Sequence, residues 1–554
     1  MSPTFAEGTV RVTTPPTYDA QPAASTRGLP DPADLAGAVG KDVLVAALED
    51  ADLSLVQTVD LTPRRSRDLG APADDTPGTV QLEVDVPPDE DAVVLLERDG
   101  VFSWHLPVEP RRRTRALEPT PQTRRFEIDV QPGPAPAPGA PDGRRDRGLL
   151  GQIVEGAAHA LVFRFVAPVI LDKAVEKMED HVEPGLVHLT EPDVSSWRRF
   201  ESLDELGLPT DRPVRLLLFI HGTFSSTAGG FGALTSRQHD ADGFLRMLIQ
   251  AYDAVIGFDH KTLSVDPRQN AEDLLERLRT HQPGAELVID VITHSRGGLT
   301  TRSFVEQVLP PSGWPARVDN IVFVASTHAG TNLASPERWS DLIDVYTNLA
   351  AISAKVLTMA GAGAVGTIVA GVVKGIGAFV KYLVSYAATG DDVPGLKAMV
   401  PGGAFVKELN KLQPGQPGPG TSWFVISSNF HVSLFDDSHH PPEFPRELAR
   451  KLKEGFVDRL FKGDNDLVVD TSSMSAIGDA KGGFVRDTLA LGENDVVYHN
   501  NYFSQLRVLE AISGWLPLGL GAGGGDDSGE PAPAPPPASN VRSLPADALR
   551  EAVP

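Results

Sequence analysis

Beyond Pro213 the chain carries six short runs rich in β-branched residues and leucine, separated by segments of helical periodicity: Val214 to Ile220, Ala254 to Phe258, Leu287 to Ile292, Asn320 to Ala325, Ser422 to Ser427 and Val496 to Tyr498. Strands that are apolar on both faces need cover on both faces. A crossover helix between successive strands supplies it, so the pattern predicts an α/β domain built on a doubly wound, mostly parallel sheet.

The remainder divides by composition. Residues 1–78 are rich in Pro, Ala and Asp, with one apolar patch from Val43 to Leu48, and are expected to be largely irregular. From Thr79 the side chains of Val80, Leu82, Val84 and Val86 alternate with polar ones, and Asp99-Gly100 joins two apolar runs with the residues a tight hairpin turn needs. With Phe126, Ile128 and Val130 alternating again, residues 79–130 are expected to form a small β-rich module, a sandwich in its simplest form. A Pro/Gly-rich linker at 131–147 precedes the α/β domain at 148–516, whose first apolar stretch, Leu149 to Met178, has helical spacing. A second Gly/Pro-rich linker (517–540) and a tail (541–554) end the chain.

Charge and cysteine content exclude several chemistries. A net charge of −24 without a basic stripe argues against nucleic acid as a partner. With no cysteine in 554 residues, disulfides, thiolate metal sites and cysteine nucleophiles are all ruled out. The opening residues lack the basic and apolar regions of a secretory signal, so a cytoplasmic location is expected.

The chemistry concentrates around Thr293-His-Ser-Arg-Gly-Gly298, which lies between the buried run Leu287 to Ile292 and a stretch with Leu299, Phe304 and Val308 at helical spacing. A serine at such a strand-to-helix elbow presents its hydroxyl at the carboxyl edge of the sheet, near the positive end of the following helix. This segment resembles the G-H-S-x-G-G nucleophile elbow of the α/β-hydrolase superfamily, lipases and esterases in particular, with Thr293 where the usual pattern has glycine. The resemblance covers Arg215 to about Trp515 and implies an α/β-hydrolase fold with Ser295 as nucleophile.

The same resemblance suggests the partners. Leu216-Leu-Leu-Phe-Ile-His-Gly-Thr-Phe224 is similar to the strand end that carries half of the oxyanion hole, which implies backbone donors from Arg296 and from Thr223 or Phe224. The family's chain order of Ser, acid, His points to Asp466 in Gly463-Asp-Asn-Asp-Leu-Val-Val-Asp470, with Asp464 and Asp470 as rivals and Leu467 where the family commonly has glycine. His499, in Val496-Val-Tyr-His-Asn500, is the expected base, with His328 as its competitor. Gly222, His294, His221 and His328 are expected to border the substrate, His221 as a loop-bonding histidine and His328 as a lining residue. His431, His439 and His440 share a loop but lack a metal-ligand pattern, and neither a metal nor any other cofactor is called for.

Between the fourth and fifth of the runs lies Val356 to Val373, uncharged over its length and rich in Gly and Ala, with Gly363, Thr367, Gly371 and Gly375 at i+4 spacing. Its place within the sheet domain argues for a helical cap or lid at 345–405 rather than a membrane-crossing hairpin, although peripheral membrane contact through the apolar cap is an expectation. The function implied is hydrolysis of a small acyl or lipid-like ester through an acyl-enzyme. The alternative is a catalytically silent scaffold that binds a protein partner, of unknown identity, through the β module and the tail.

Overall fold

The computed structural model describes residues 3–23, 43–64, 78–108, 122–129, 157–167, 179, 182–280, 286–359, 365–385, 393–411, 420–432, 444–452, 461, 463–477 and 485–518. The linker at 131–147, the tail at 541–554 and all but the first two residues of 517–540 lie outside them.

The N-terminal half is a two-sheet β module. One sheet has the order β1-β2-β5-β8, formed by Thr4–Phe5 (β1), Val10–Thr13 (β2), Thr79–Val86 (β5) and Gln122–Asp129 (β8). The other has the order β3-β4-β9-β6-β7, formed by Tyr18–Pro22 (β3), Ser54–Pro63 (β4), Glu90–Arg98 (β6), Val101–His105 (β7) and Ala158–Val166 (β9). Every pairing is antiparallel. Val80, Leu82, Val84 and Val86 face Val59, Leu61, Val94 and Leu96 across a shared core, the inward half of each alternating pattern. Asp99 and Gly100 take φ angles of 49° and 78° to close the β6–β7 hairpin.

Two expectations for this half need correction. The described residues of 1–78 are not largely irregular, because β1 to β4 and a helix at 43–49 (α1) fall among them; their strands are short or half-exposed, and the Pro and Asp in this part of the sequence mask the alternation. Nor is the apolar stretch after Leu149 helical where it is described. Residues Ala158–Val166 form β9, central in the five-stranded sheet and buried on both faces, so that its apolar run has no clean period of two. The β module therefore extends to residue 166, beyond the expected boundary.

The C-terminal half is built on an eight-stranded sheet of order β11-β10-β13-β12-β14-β15-β16-β17. Val214–Ile220 (β12), Ala254–Asp259 (β13), Leu287–His294 (β14), Ala316–Val324 (β15), Ser422–Phe430 (β16) and Val485–Asn494 (β17) run parallel. Gly185–His188 (β10) and Arg198–Phe200 (β11) add an antiparallel edge. The last strand is thus β17 rather than Val496 to Tyr498. As an edge strand with Arg486, Asp487 and Thr488 in its first turns of pleat, β17 lacks the apolar signature of its neighbours. Val497 and Tyr498 belong instead to a buried loop whose N–H groups are held by Asn494 and Asn501.

Alternate residues of each strand feed two cores. On one face, Leu216, Leu218 and Ile220 pack with the helix Pro267–Leu278. On the other, Leu217, Phe219, Val322 and Val324 pack with Ala241–Ala251, with Leu506–Trp515 and with two long helices, Trp339–Met359 (α2) and Val365–Ser385 (α3). These two form the cap, inserted between β15 and β16, and the same core continues into Phe102, Trp104, Leu161 and Phe163 of the β module. The cap is therefore clamped between the sheet and the sandwich. Its helices are long and apolar enough to cross a membrane, yet about two thirds or more of each apolar window is buried inside the protein (72% and 67%).

Candidate active site

Ser295 stands where β14 turns into the helix Gly297–Arg302, with φ at 57° in the left-handed region that an L-residue occupies only under strain. The neighbouring strand holds it there: its N–H donates to Val324 O (3.0 Å), and its carbonyl accepts from Gly298 N–H (3.1 Å). The turn needs small neighbours. A β-carbon on Gly297 would lie 2.4 Å from Ile220 O, and one on Gly222 would lie 2.6 Å from the Ser295 Cβ. Thr293, in the place of the usual glycine, fits by donating its hydroxyl to Ile220 O at 3.3 Å.

The structure brings Ser295, His499 and Asp466 together. Ser295 Oγ is 3.0 Å from His499 Nε2, and His499 Nδ1 is 2.9 Å from Asp466 Oδ2. All three side chains are buried at the carboxyl ends of the parallel strands. Asp466 is held by more than the imidazole: its Oδ1 accepts from Val468 N–H (3.1 Å) and Val469 N–H (2.9 Å), and its Oδ2 accepts from the Tyr502 hydroxyl (3.1 Å). Leu467 makes this loop possible with φ at 80°, the conformation for which the related motif uses glycine. The rival acids lie elsewhere, Asp470 with a carboxylate oxygen 3.4 Å from Asn332 Nδ2 and Asp464 with its carbonyl on Thr471 N–H.

His294 lines the cleft, with its ring 4.7 Å from that of His499, and donates from Nε2 to the His499 carbonyl (2.9 Å). Burial, with His499 alongside, pushes the His294 pKa well down, so the ring stays neutral.

Two histidines expected to border the substrate do not. His221 is buried behind the strand end, donating from Nδ1 to Gly222 O (2.9 Å), accepting at Nε2 from His260 N–H (3.2 Å) and stacking on the His260 ring at 4.1 Å. His328 is fully buried against Phe323, and neither of its ring nitrogens has a partner among the described residues. Their loops end at the cleft, which is the signal the sequence carries; the rings turn inward, His221 onto His260 and His328 against Phe323.

The Phe224 N–H, one candidate oxyanion donor, is already given to Thr262 Oγ1 at 3.2 Å. Thr262 is itself clamped by Glu179, whose carboxylate accepts from the N–H groups of Thr262, Leu263 and Ser264. Thr223 and Arg296 remain as backbone candidates. The Arg296 side chain runs away from the cleft to Val265 O (2.6 Å), and burial pulls its pKa down to about 10.

The cleft beside Ser295 is walled by the cap. Ala350, Val356 and Leu357 of α2 and Ile368, Val369 and Val372 of α3 supply its apolar side, while Thr223, His294, Tyr346 and His499 supply the polar end. Tyr346, Tyr502 and Glu179 were not singled out in the sequence. Tyr502, three positions after His499, carried a signal by proximity; Tyr346 and Glu179 carried none.

A family model described as "Domain of unknown function (DUF7379)" matches residues 184–517, more than half of the chain. The chain belongs to the DUF7379 family. A second model, DUF7362, also described as a domain of unknown function, matches residues 7–165, the span of the β module. No curated protein matches. Among solved structures, the DUF7379 chain is similar to lipase 1 from Pelosinus fermentans (13% identity, 54% of this chain and 98% of that one, TM-score 0.33). It is also similar to phospholipase PlaB from Legionella pneumophila (12% identity, 47% of this chain and 46% of that one, TM-score 0.27). A third is the RedJ thioesterase from Streptomyces coelicolor (13% identity, 56% and 95%, TM-score 0.24). The chain spans about half the length of PlaB. Likeness at this level carries no functional conclusion by itself.

Proposed function

We propose that this protein is a serine hydrolase of the α/β-hydrolase type that cleaves a carboxylic ester with an apolar acyl group. The observation that carries this reading is the continuous hydrogen-bonded line from Ser295 Oγ through the His499 ring to Asp466, at 3.0 and 2.9 Å, opening on a cleft with an apolar wall.

In this mechanism the substrate carbonyl enters beside Gly222, and His499 Nε2 takes the Ser295 proton as Oγ attacks the carbonyl carbon. Asp466 holds the tautomer with the proton on Nδ1 and stabilises the imidazolium that forms. The N–H groups of Thr223 and Arg296 receive the oxyanion. The imidazolium then protonates the leaving alcohol, and water, deprotonated by the same ring, releases the acid. The acyl chain lies along Val356, Leu357, Val369 and Val372, which suits short to medium chains and gives a lipid-like ester as substrate class.

Labelling with a fluorophosphonate and a panel of nitrophenyl esters of rising chain length test the reading together. Covalent labelling lost in Ser295→Ala, with turnover of the shorter esters, is the expected result. An inert wild-type chain in both assays would return it to a binding scaffold.

A further inference from the structure

We propose that Tyr346 is a catalytic residue whose hydroxyl is a third donor to the oxyanion, delivered from the cap rather than from the sheet. The proposal rests on the assignment of Ser295, His499 and Asp466 as the catalytic triad.

Tyr346 lies on α2 and lines the cleft together with Gly222, Thr223, Ser295 and His499. Its ring meets Phe224 at 5.1 Å and His499 at 6.4 Å, both in edge geometry, which places it next to the oxyanion strand end and next to the base. The polar neighbours of its hydroxyl are the side chains of Ser295 and Thr223. A phenol so placed sits beside the nucleophile and beside the residue that offers a backbone donor. The ring is buried, which raises its pKa, and the hydroxyl stays protonated and able to donate.

With the Phe224 N–H committed to Thr262, the strand end offers the Thr223 N–H alone, and the phenol adds a third donor to those of Thr223 and Arg296. As the bond from Ser295 Oγ to the carbonyl carbon forms, the carbonyl π pair moves to oxygen. The Ser295 proton passes to His499 Nε2, and the Tyr346 O–H makes a hydrogen bond to the new O⁻ while keeping its own proton. That bond is stronger to the oxyanion than to the ground-state carbonyl, which is the condition for it to raise kcat.

The cap can hold the phenol in register because α2 is pinned to the β module by its neighbours in sequence. Asp344 accepts the Trp104 N–H (2.7 Å), Thr347 accepts the Trp104 indole N–H (2.8 Å), and Asn348 both accepts from Phe102 N–H (2.9 Å) and donates to Phe102 O (2.7 Å).

Tyr346→Phe keeps the ring and removes the donor. The expected result is a fall in kcat of about 100-fold with KM nearly unchanged, and an equal loss of affinity for a trifluoromethyl ketone, whose adduct with Ser295 carries the oxyanion. A Tyr346→Phe variant with wild-type kcat, or one altered only in KM, overturns the proposal while leaving the triad standing. Wild-type protein inert to both ester and fluorophosphonate overturns both. Incorporation of a difluorotyrosine at 346, of the same shape but a more acidic phenol, is expected to bring in a new loss of kcat on the alkaline limb; an unchanged alkaline limb speaks against the donor role even where the Phe variant folds poorly.

Discussion

Trp104 and Asp344, 240 positions apart in the chain, are joined by a hydrogen bond of 2.7 Å from the backbone N–H of the one to the carboxylate of the other. Through it and the paired bonds of Asn348 to Phe102, the edge strand β7 finds its partners in the side chains of a helix instead of a further strand. The cap is thereby tied to a rigid sandwich. Replacing Asp344 and Asn348 together by Ala is expected to lower stability by roughly 2–4 kcal/mol, since buried N–H groups of β7 are left unpaired. Chemical denaturation reads this loss, and the chain-length profile of ester hydrolysis is expected to broaden as the cap loosens.

The contact between Gly222 and Ser295 is equally unforgiving. Because a β-carbon at 222 would lie 2.6 Å from the Ser295 Cβ, Gly222→Ala forces the strand end and Ser295 apart. A displacement on the order of 1 Å costs about 100-fold in rate, so kcat/KM is expected to fall by at least that factor, measured on the best ester of the panel.

Asp466 has two oxygens with different duties. Asp466→Asn keeps the shape of the side chain but disturbs the tautomer of His499, and kcat is expected to drop by roughly 10³–10⁴. Tyr502→Phe removes a single neutral donor to the same oxygen and is expected to cost about 1 kcal/mol or less in transition-state stabilisation, a fall of several-fold. Steady-state kinetics of the two variants side by side distinguish a residue that shapes the base from one that supports it.

Burial also writes a pH signature into stability. The pKa of His328 is pushed well below its ordinary value of 6.5, first by desolvation and then by the charge of Arg302. Unfolding lets this ring bind a proton that the native state refuses. Its contribution to stability is therefore complete above pH 6.5 and is lost as pH falls below it, at about 1.4 kcal/mol per pH unit. His328→Leu removes that loss, and its unfolding free energy is expected to fall less steeply than that of the wild type between pH 6.5 and 5.5. Identical slopes in urea titrations at several pH values would refute the assignment.

Much of the sheet was legible in the sequence because β12 to β16 each contain a run of apolar residues buried on both faces, even where, as in β15, the strand opens with Arg317, Asp319 and Asn320. The hidden elements failed for opposite reasons. β17 is an edge strand whose solvent side carries charge, whereas the contiguous apolar run from Ala160 to Phe163 in β9 has a period that could not be told from that of a helix. At the site, Ser295, Asp466 and His499 stood out because each follows or precedes a recognisable local pattern. His221 and His328 misled because a loop's position does not say which way its ring turns.

The order of residues alone determined where strands alternate with helices, where the backbone must bend sharply at Ser295, and which side chains could supply a base and an acid. Such features depend on neighbours within a few positions, and local sterics and periodicity encode them. Tertiary structure alone decided that Asp466 rather than Asp464 or Asp470 meets the imidazole, that Glu179 anchors the loop behind Phe224, and that Tyr346 lines the cleft with Ser295 from a helix pinned to a distant strand. Those contacts join residues far apart along the polymer, and only packing against a common core brings them within hydrogen-bonding range.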